Sequence, residues 1–565
     1  MADELLARLG DEFFECMHSI DPLTATQLGI TGYDHLLPDL SRAAAERGAA
    51  RVARLEEEVA AIEPGGLDAA DAINHAVLGH LAWGLRTNLE DAIWARDASA
   101  AAYASPQAMA FQSIPVAPLD SPPSVQGYLQ RLQALPGFFD AILQRYRESS
   151  AEGARSTAVG LRQAIEQLEG HLSRPVAGDA LLAPLSRTSA ASSADRSRGE
   201  ELVRGSVRPA MARLLQGMRD ELLPGARPDT EVGLGSLAGG EEAYRRAVRR
   251  HTTTELSPEE IHQVGLQVLA ELEAEWEEIG ARVFGGRIPA RELRTRLRDD
   301  PSLRFQSEAE IVAVVRGALE RAEAARDAWF PHFDIADCVI EEIDPVEAGN
   351  AALAYYRGPS EGGSRPGAHC VLTADPGSRF VYEYEALAFH ESTPGHHLQI
   401  ASAQTLAHLP RYRRYLDAEV CSYVEGWGLY CERLADEMGL YTSDLQRLGM
   451  LSFDALRASR LVVDTGMHHL GWSRQQAVDF MWENTATTQA NVRNEIDRYI
   501  AWPGQALAYM IGRREIRRLR TAAERQMGSR FDVRGFHGAV LSEGAVPLPV
   551  LGQLVERWQQ GTEAE

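Results

Sequence analysis

Residues 382–401 read YEYEALAFHESTPGHHLQIA and carry the densest set of metal-binding residue types in the chain. An apolar helical run leads into His390 and Glu391. Four turn formers follow, and then His396, His397 and an apolar continuation. Zinc in catalytic sites takes imidazole and carboxylate ligands and keeps one position open for water. A glutamate beside the first histidine is placed to deprotonate that water, so the segment predicts a zinc site with Glu391 as general base.

The spacing of the histidines departs from the HExxH pattern, in which both lie on one helical face. Position i+4 from His390 is Pro394, which cannot bind a metal. On an unbroken helix, His397 at i+7 returns to the same face, but about 10.5 Å further along the axis. Ligands at about 2.0–2.1 Å from one metal cannot lie that far apart. We therefore predict a distortion of the helix at 393–395 and leave both His396 and His397 as candidates, with a slight preference for His397 because of its helical phase.

A third ligand is available in residues 419–434, which read EVCSYVEGWGLYCERL. Glu425 and Glu432 are seven residues apart and lie on one face of a predicted helix. An ionised carboxylate buried beside Trp427 would be costly unless it met a cation, so Glu425 is the candidate ligand. The alternative is an ordinary solvated glutamate. Six other histidines have no metal-ligand context and are interpreted as structural: His75, His80, His251, His262, His408 and His537.

Outside this segment most of the chain has helical periodicity, which predicts a mainly α protein. Leu5, Leu9, Phe13 and Met17 recur every four residues, and Ser257 begins a capping box. Strand-like sequence is concentrated in 337–375, which predicts a small antiparallel sheet next to the His-Glu helix.

The 565 residues suit two subdomains rather than one small core. A Gly/Pro-rich stretch at 223–240 places the division between an N-terminal helical subdomain, 1–230, and a catalytic helical subdomain, 231–565. The catalytic subdomain would contain both the predicted sheet and the predicted metal site.

Composition excludes several classes of function. The 81 acidic and 57 basic residues give a formal charge of −24, which disfavours nucleic acid and anionic membrane partners. No lysine occurs in the sequence, so Schiff-base catalysis, pyridoxal-phosphate anchoring and a P-loop are excluded. Five widely spaced cysteines favour a reducing compartment, and the acidic N-terminus lacks signal-peptide features. We therefore expect a cytoplasmic protein. The oligomeric state is left open.

Four ordered motifs resemble the bacterial family called domain of unknown function 885. They are HESTPGHHLQ, YVEGWGLYCERL, RLVVDTGMHHLGWSRQQAVDFM and RYIAWPGQALAYMIG, and the opening DPLTATQLGITGYDHLLPDLS is also similar. That family is regarded as related to gluzincin metallopeptidases, including the thimet and angiotensin-converting types. The resemblance implies a large helical assembly with a central cleft. It also implies His390, one of His396 and His397, and Glu425 as ligands, with Glu391 as base.

Gluzincin-like enzymes resemble one another in supplying a tyrosine or histidine from a late helix to the developing oxyanion. The candidates here are His468, Tyr499 and Tyr509, with Asp464 four residues before His468 and able to orient it. A half-buried structural histidine is the alternative for His468. Arg498 is a candidate for binding a substrate carboxylate, with a surface salt bridge as its alternative.

Three further residues are candidates for substrate binding, because edge strands of related folds can pair with an extended substrate. They are Tyr355, Tyr356 and Arg365, on or beside the predicted sheet. The alternative is that they are packing and turn residues.

These observations predict a zinc-dependent hydrolase that cleaves short peptides by metal-activated water. One alternative is an amide hydrolase of a specialised small molecule that uses the same site. Another is a non-catalytic binding protein with a degenerate metal site, against which Glu391 argues, since a binding site needs no base beside a ligand.

Overall fold

Helices form most of the chain, as the periodicity predicted. The computed structural model describes residues 2–101, 103–343, 352–363, 365–416 and 418–561. In the first helix Leu9, Phe13 and Met17 are buried, so the four-residue period marks its inner face. None of the helices in the described ranges combines the length and the apolar character that crossing a membrane demands.

The chain divides into two compact units. The first comprises Met1–Ala243 with two short later segments, Ser360–Ser364 and Ile500–Trp502. The second comprises Tyr244–Pro359, Arg365–Tyr499 and Pro503–Glu565. The division along the chain thus falls after Ala243, whereas the sequence placed it at 230. The two short segments join the first unit only through folding, which a linear change of composition does not report.

The first unit is helical and has an apolar core. Its helices are α1 (Ala2–Ile20), α2 (Pro22–Leu28), α3 (Arg42–Ala60), α4 (Ala69–Asp91), α5 (Ile93–Arg96), α6 (Pro106–Ser113), α7 (Pro122–Ala151), α8 (Ala158–Ser173), α9 (Ala183–Arg187), α10 (Ser193–Leu202) and α11 (Arg208–Gly217). Leu132, Phe139 and Ile142 of α7 are fully buried against Leu161 of α8 and Met211 of α11. This burial of apolar side chains is the main source of the unit's stability.

The second unit holds the remaining elements. After α12 (Gly240–Thr252), which begins in the first unit, come α13 (Pro258–Phe284), α14 (Ala290–Asp299), α15 (Glu308–Trp329), β1 (Val339–Glu342), β2 (Ala354–Arg357), β3 (Ala368–Val371), α16 (Tyr384–Glu391), α17 (His396–Thr405), α18 (Arg411–Arg414), α19 (Cys421–Glu437), α20 (Asp444–His468), α21 (Arg474–Asn484), α22 (Gln489–Ala501), α23 (Ala508–Met527), α24 (Val533–Leu541) and α25 (Leu548–Gly561). The last two residues of α22 belong to the first unit.

Close helix packing positions the site in the second unit. The predicted capping box at Ser257 is confirmed at the start of α13, which packs along α20. Helix α19 packs along α23, and the two backbones come close where Gly426 faces Gly512: a Cβ on Gly426 would lie 2.6 Å from the Gly512 Cα. Only glycine at both positions permits this approach.

The sheet has three short strands in the order β1-β3-β2. Strands β2 and β3 are antiparallel, but β1 and β3 are parallel, so the prediction of a purely antiparallel sheet is wrong. The Gly/Pro-rich turn between β2 and β3 favours an antiparallel pair, whereas β1 joins the opposite edge of β3 from further back in the chain. Residues 344–351, within the predicted strand region, lie outside the described residues. Strand β2 is an edge of the sheet and packs against α16. The central cleft stays a prediction.

Candidate metal centre

The helix that carries His390 breaks completely before His396. Helix α16 ends at Glu391, Ser392 (φ −105°, ψ −137°) and Gly395 (φ −76°, ψ −129°) leave the helical region, and α17 begins at His396. The predicted distortion is therefore confirmed, and it takes the form of two separate helices. Because α17 has its own axis, the separation of about 10.5 Å expected between His390 and His397 on one continuous helix does not apply.

Contacts from α19 hold this break in place. The Trp427 indole donates to the Pro394 carbonyl oxygen at 3.0 Å, and the Cys431 thiol donates to the same oxygen at 3.2 Å. A Cβ on Gly395 would lie 1.9 Å from the His390 carbonyl oxygen, so the turn closes only with glycine there. From the sheet, His369 hydrogen bonds the Ser392 hydroxyl at 3.0 Å.

Three side chains meet across the break. Single ligand atoms from His390, His396 and Glu425 all lie within 4.8 Å of one another. The Glu425 Oε2 atom is 3.4 Å from His390 Nε2 and 3.3 Å from His396 Nε2. The two imidazole rings are nearly perpendicular, with centroids 4.7 Å apart. Two of the predicted ligands and one of the two alternative histidines thus come together from α16, α17 and α19.

His397 faces away from this cluster, so the preference for His397 over His396 is wrong. Its Nε2–H donates to the Ala336 carbonyl oxygen at 2.9 Å, and its Nδ1 accepts from the Tyr356 hydroxyl at 3.0 Å. Burial lowers the pKa of His397 to about 4, so the ring is neutral and both nitrogens are used. The preference assumed the phase of a continuous helix, and the restart at His396 resets that phase.

The opposite nitrogen of His390 is held by a second carboxylate. His390 Nδ1–H donates to Glu432 Oε1 at 2.8 Å, which leaves Nε2 facing Glu425. The Arg457 guanidinium lies 3.5 Å from the same Glu432 oxygen. The ring also lies directly against Gly428, where a Cβ would be 2.7 Å from it. A carboxylate that fixes the tautomer and direction of a ligating histidine is a common support of metal sites.

The charges of the cluster are strongly coupled. Burial disfavours a charged His390, but the neighbouring carboxylates of Glu425 and Glu432 outweigh it and raise the pKa of His390 to about 9. Burial likewise opposes ionisation of Glu425, yet His390 and His396 hold the pKa of Glu425 well below its usual value. The cluster therefore keeps an ionised carboxylate in a buried place, which requires a positive partner.

Glu391 and Tyr509 lie next to the cluster. Glu391 directly follows His390 and is 7% exposed, and within the described ranges its carboxylate receives no hydrogen bond. The Tyr509 ring stacks on the His390 ring at a centroid distance of 6.2 Å. Burial, with the negative charge of Glu425, raises the pKa of Tyr509, so its hydroxyl stays protonated and can donate.

The other predicted oxyanion donors are engaged elsewhere. The Tyr499 hydroxyl donates to Glu495 and accepts from Arg460, and His468 Nε2 donates to the Tyr499 carbonyl oxygen at 3.0 Å. Asp464, expected to orient His468, accepts instead from Tyr244 at 2.6 Å and from the Gly504 amide. The structure thus favours Tyr509 among the three candidates.

The predicted substrate-binding residues occupy different places. Tyr356 supports His397 through the hydrogen bond described above, and Tyr355 lies beside it on the edge strand β2. Burial lowers the pKa of the Arg365 guanidinium. Arg498 donates to Gln505 at 2.8 Å and to Glu495 at 3.1 Å. The second contact is a partly buried salt bridge, in which the Arg498 side chain is 25% exposed. Their contact with a substrate stays a prediction.

Sequence reasoning did not single out two residues in or next to the site: Glu432, which binds His390, and Arg460, which binds Tyr499. Glu432 was detectable, because its spacing of seven residues from Glu425 places both on one helical face. Arg460 lies in the apolar run of α20, where a buried arginine marks a polar network.

A comparison with protein families shows which family the chain belongs to. The profile of a family described as bacterial protein of unknown function, DUF885, matches residues 22–555. The chain belongs to this family. The motifs that resembled the family therefore indicated it correctly, while its relation to gluzincins is not part of that match. No curated protein matches the chain.

Two solved structures share the fold. A candidate lipoprotein from Colwellia psychrerythraea is 26% identical with a TM-score of 0.90, and the match covers 99% of this chain and 100% of the other. A candidate lipoprotein of unknown function from Shewanella oneidensis is 18% identical with a TM-score of 0.73, over 98% and 99% of the two chains. The second likeness shows the fold alone.

Proposed function

We propose that this member of the DUF885 family is a zinc-dependent hydrolase with a gluzincin-like site that cleaves amide bonds of short peptides. One observation carries the proposal: the two Nε2 atoms of His390 and His396 and one Glu425 oxygen converge in a buried place. Glu391, an acid–base residue type, directly follows one of the three.

The donor set fits zinc. Two imidazoles and one carboxylate are the ligand types of catalytic zinc sites. Ligands at about 2.0–2.1 Å in a tetrahedral arrangement lie about 3.3 Å from each other, which is close to the 3.4 and 3.3 Å separations of Glu425 Oε2 from the two nitrogens. Glu425 Oε2 is fully buried and has no well-aligned hydrogen bond to any described residue. A buried oxygen in that condition is explained by a cation.

Zinc held by these residues would lower the pKa of a water molecule and polarise the carbonyl to be cleaved. The Glu391 carboxylate takes a proton from the attacking water and delivers it to the leaving nitrogen as the carbon–nitrogen bond breaks. The Tyr509 hydroxyl donates to the oxygen that gains negative charge at the carbonyl carbon. Glu432 keeps His390 oriented throughout, since it binds the nitrogen that faces away from the cluster.

The cellular location predicted from the sequence, cytoplasmic, stays a prediction. The two similar structures are of candidate lipoproteins, a class of protein that carries a lipid anchor, so a membrane-attached location is the alternative. Fractionation of cells that produce this protein natively decides between the two locations.

The function is tested by metal content and by digestion. Protein purified without chelator should contain close to one zinc per chain by elemental analysis. A library of short peptides should be cleaved by this protein, left intact after chelation, and cleaved again when zinc is restored. Full activity of metal-free protein would contradict the proposal. Cleavage of non-peptide amides with no cleavage of peptides would replace it with the small-molecule alternative.

A further inference from the structure

Two arginines next to the site share one carboxylate: Arg460, which is buried, and Arg498, whose side chain is a quarter exposed. Arg460 of α20 donates to Glu495 at 2.6 Å and to the Tyr499 hydroxyl at 2.6 Å. Arg498 of α22 donates to the same Glu495 oxygen at 3.1 Å and to Gln505 at 2.8 Å. Glu495 is thus the only anion that either guanidinium contacts within the described residues.

The group formed by Arg460, Arg498, Glu495 and Tyr499 therefore carries one excess positive charge. Two guanidinium groups face one carboxylate, and the Tyr499 phenol, whose pKa is raised by burial, brings no charge. Arg457 adds further positive charge beside Tyr509, and its carboxylate partner, Glu432, also binds His390. Arg460 is buried, and a buried charge that shares its carboxylate with a second cation is costly, so an anion is expected to join the group.

One atom indicates where that anion binds. Arg460 is 5% exposed, and its Nη1 has no hydrogen-bond partner in the part of the chain that the structure describes. The guanidinium of Arg460 also lies over the Tyr509 ring, 4.2 Å from its centroid. The Tyr509 ring also stacks on the His390 ring and lies 5.8 Å from the Arg457 guanidinium. On the His390 side, this single tyrosine ring separates the free donor from the metal cluster.

This separation suits the end of a short peptide. An extended residue spans about 3.3–3.6 Å, so a terminal carboxylate bound beside Tyr509 would lie one to three residues beyond a bond cleaved at the cluster. Arg460 has Nε on Tyr499 and Nη2 on Glu495, so it offers Nη1 to a carboxylate as a charge-assisted hydrogen bond. A single negative charge then balances the single excess positive charge.

We propose that Arg460, with Arg498 behind it, binds the free C-terminal carboxylate of the peptide substrate, so that the enzyme removes short fragments from peptide C-termini. This inference rests on the proposed peptidase function. Arg460 would contact the carboxylate through Nη1, whereas Arg498 would be a positioning residue that adds positive charge and holds Glu495.

The test compares peptides that differ only at the C-terminus. A peptide with a free carboxylate should show a kcat/KM roughly 10- to 150-fold higher than its C-terminal amide, the range for a hydrogen bond to a charged group. A third peptide, amidated but ending in aspartate, separates a main-chain from a side-chain carboxylate. If it is cleaved as well as the free acid, the assignment to the C-terminus is overturned.

Variants of the protein test whether Arg460 causes the preference for a free C-terminal carboxylate. Arg460→Gln should cleave acid and amide equally, Arg460→Lys should restore part of the preference, and the exposed Arg518→Gln should keep all of it. Circular dichroism and zinc content show whether each variant is folded. An undiminished preference in folded Arg460→Gln overturns the proposal.

A binding measurement separates this inference from the proposed function. Calorimetry with zinc-loaded Glu391→Gln protein should show tighter binding of the free-acid peptide than of its amide, without cleavage. Equal binding of the two, or equal cleavage by the wild type, overturns the carboxylate site and leaves the peptidase function standing. No cleavage of any peptide by zinc-loaded wild type would instead contradict the peptidase function.

Discussion

Two buried histidines pack against opposite faces of helix α19, and they differ in the groups that bind their ring nitrogens. On one face His390 lies between two carboxylates, with Nδ1 on Glu432 and Nε2 towards Glu425. On the other face His537 donates from Nδ1 to the Trp329 carbonyl oxygen at 2.8 Å and accepts at Nε2 from the Tyr430 hydroxyl at 2.9 Å.

Hydrogen-bond partners, rather than burial, separate these two faces. Burial, with a smaller contribution from the charge of Arg520, lowers the pKa of His537 to about 3, so the ring is uncharged. Around His390 the two carboxylates outweigh the same penalty and raise the pKa to about 9. A buried histidine among carboxylates attracts a cation, either a proton or a metal, whereas a histidine between a carbonyl and a phenol is a packing residue.

The largest expected effect tests which histidine joins His390 on the cluster face. His396→Ala should reduce zinc content from near one per chain to near zero, because it removes one of three ligands. His397→Ala is the matched control and should retain zinc, since both of its nitrogens bind Tyr356 and the Ala336 carbonyl. Elemental analysis of both proteins after the same dialysis decides. If only His397→Ala lost zinc, His397 and not His396 would be the ligand.

The next effect separates base from ligand on the same face. Glu391→Gln should lower turnover about 10²- to 10⁴-fold, the range for a positioned acid–base group, with zinc content unchanged. Glu425→Gln should instead weaken zinc binding itself, because it removes the charge of a ligand. Turnover and zinc content are measured together on each variant. Zinc loss from Glu391→Gln with retention in Glu425→Gln would show the reverse assignment.

A smaller effect concerns the support behind His390. Glu432→Gln keeps an oxygen near Nδ1 but removes its charge, so zinc affinity should fall about 10- to 100-fold, as for other residues that orient a ligand. Competition with a chelator of known affinity measures this change. An unchanged affinity would mean that Glu432 serves only to balance charge with Arg457.

The smallest effect tests the other face of α19. Because the folded-state pKa of His537 lies below its unfolded value of about 6.5, the unfolded chain binds more protons between these values, and stability is lost as pH falls through them. The slope from this group is at most about 1.4 kcal/mol per pH unit. Urea unfolding of wild type and His537→Gln from pH 7.5 to 4.5 should give a shallower dependence for the variant. Equal slopes would show that His537 does not titrate on unfolding.

The sequence predicted much of the cluster. Residue type and order indicated His390, Glu391 and Glu425, because few functions other than metal binding need two histidines and a glutamate at such spacings. The need for a break near Pro394 also followed from helix geometry alone. The choice between His396 and His397 did not, since it depends on where α17 restarts, and contacts from Trp427 and Cys431 fix that restart.

Amino-acid order by itself determined the helical periods, the family and the residue types of the site, because these depend on local spacing and side-chain chemistry. Tertiary structure decided the rest. It paired β1 in parallel with β3, turned His397 away, placed Tyr509 rather than Tyr499 beside His390, and set two arginines on one glutamate. These outcomes depend on contacts between segments far apart in the chain, and the direction of a buried side chain is fixed only by what packs against it.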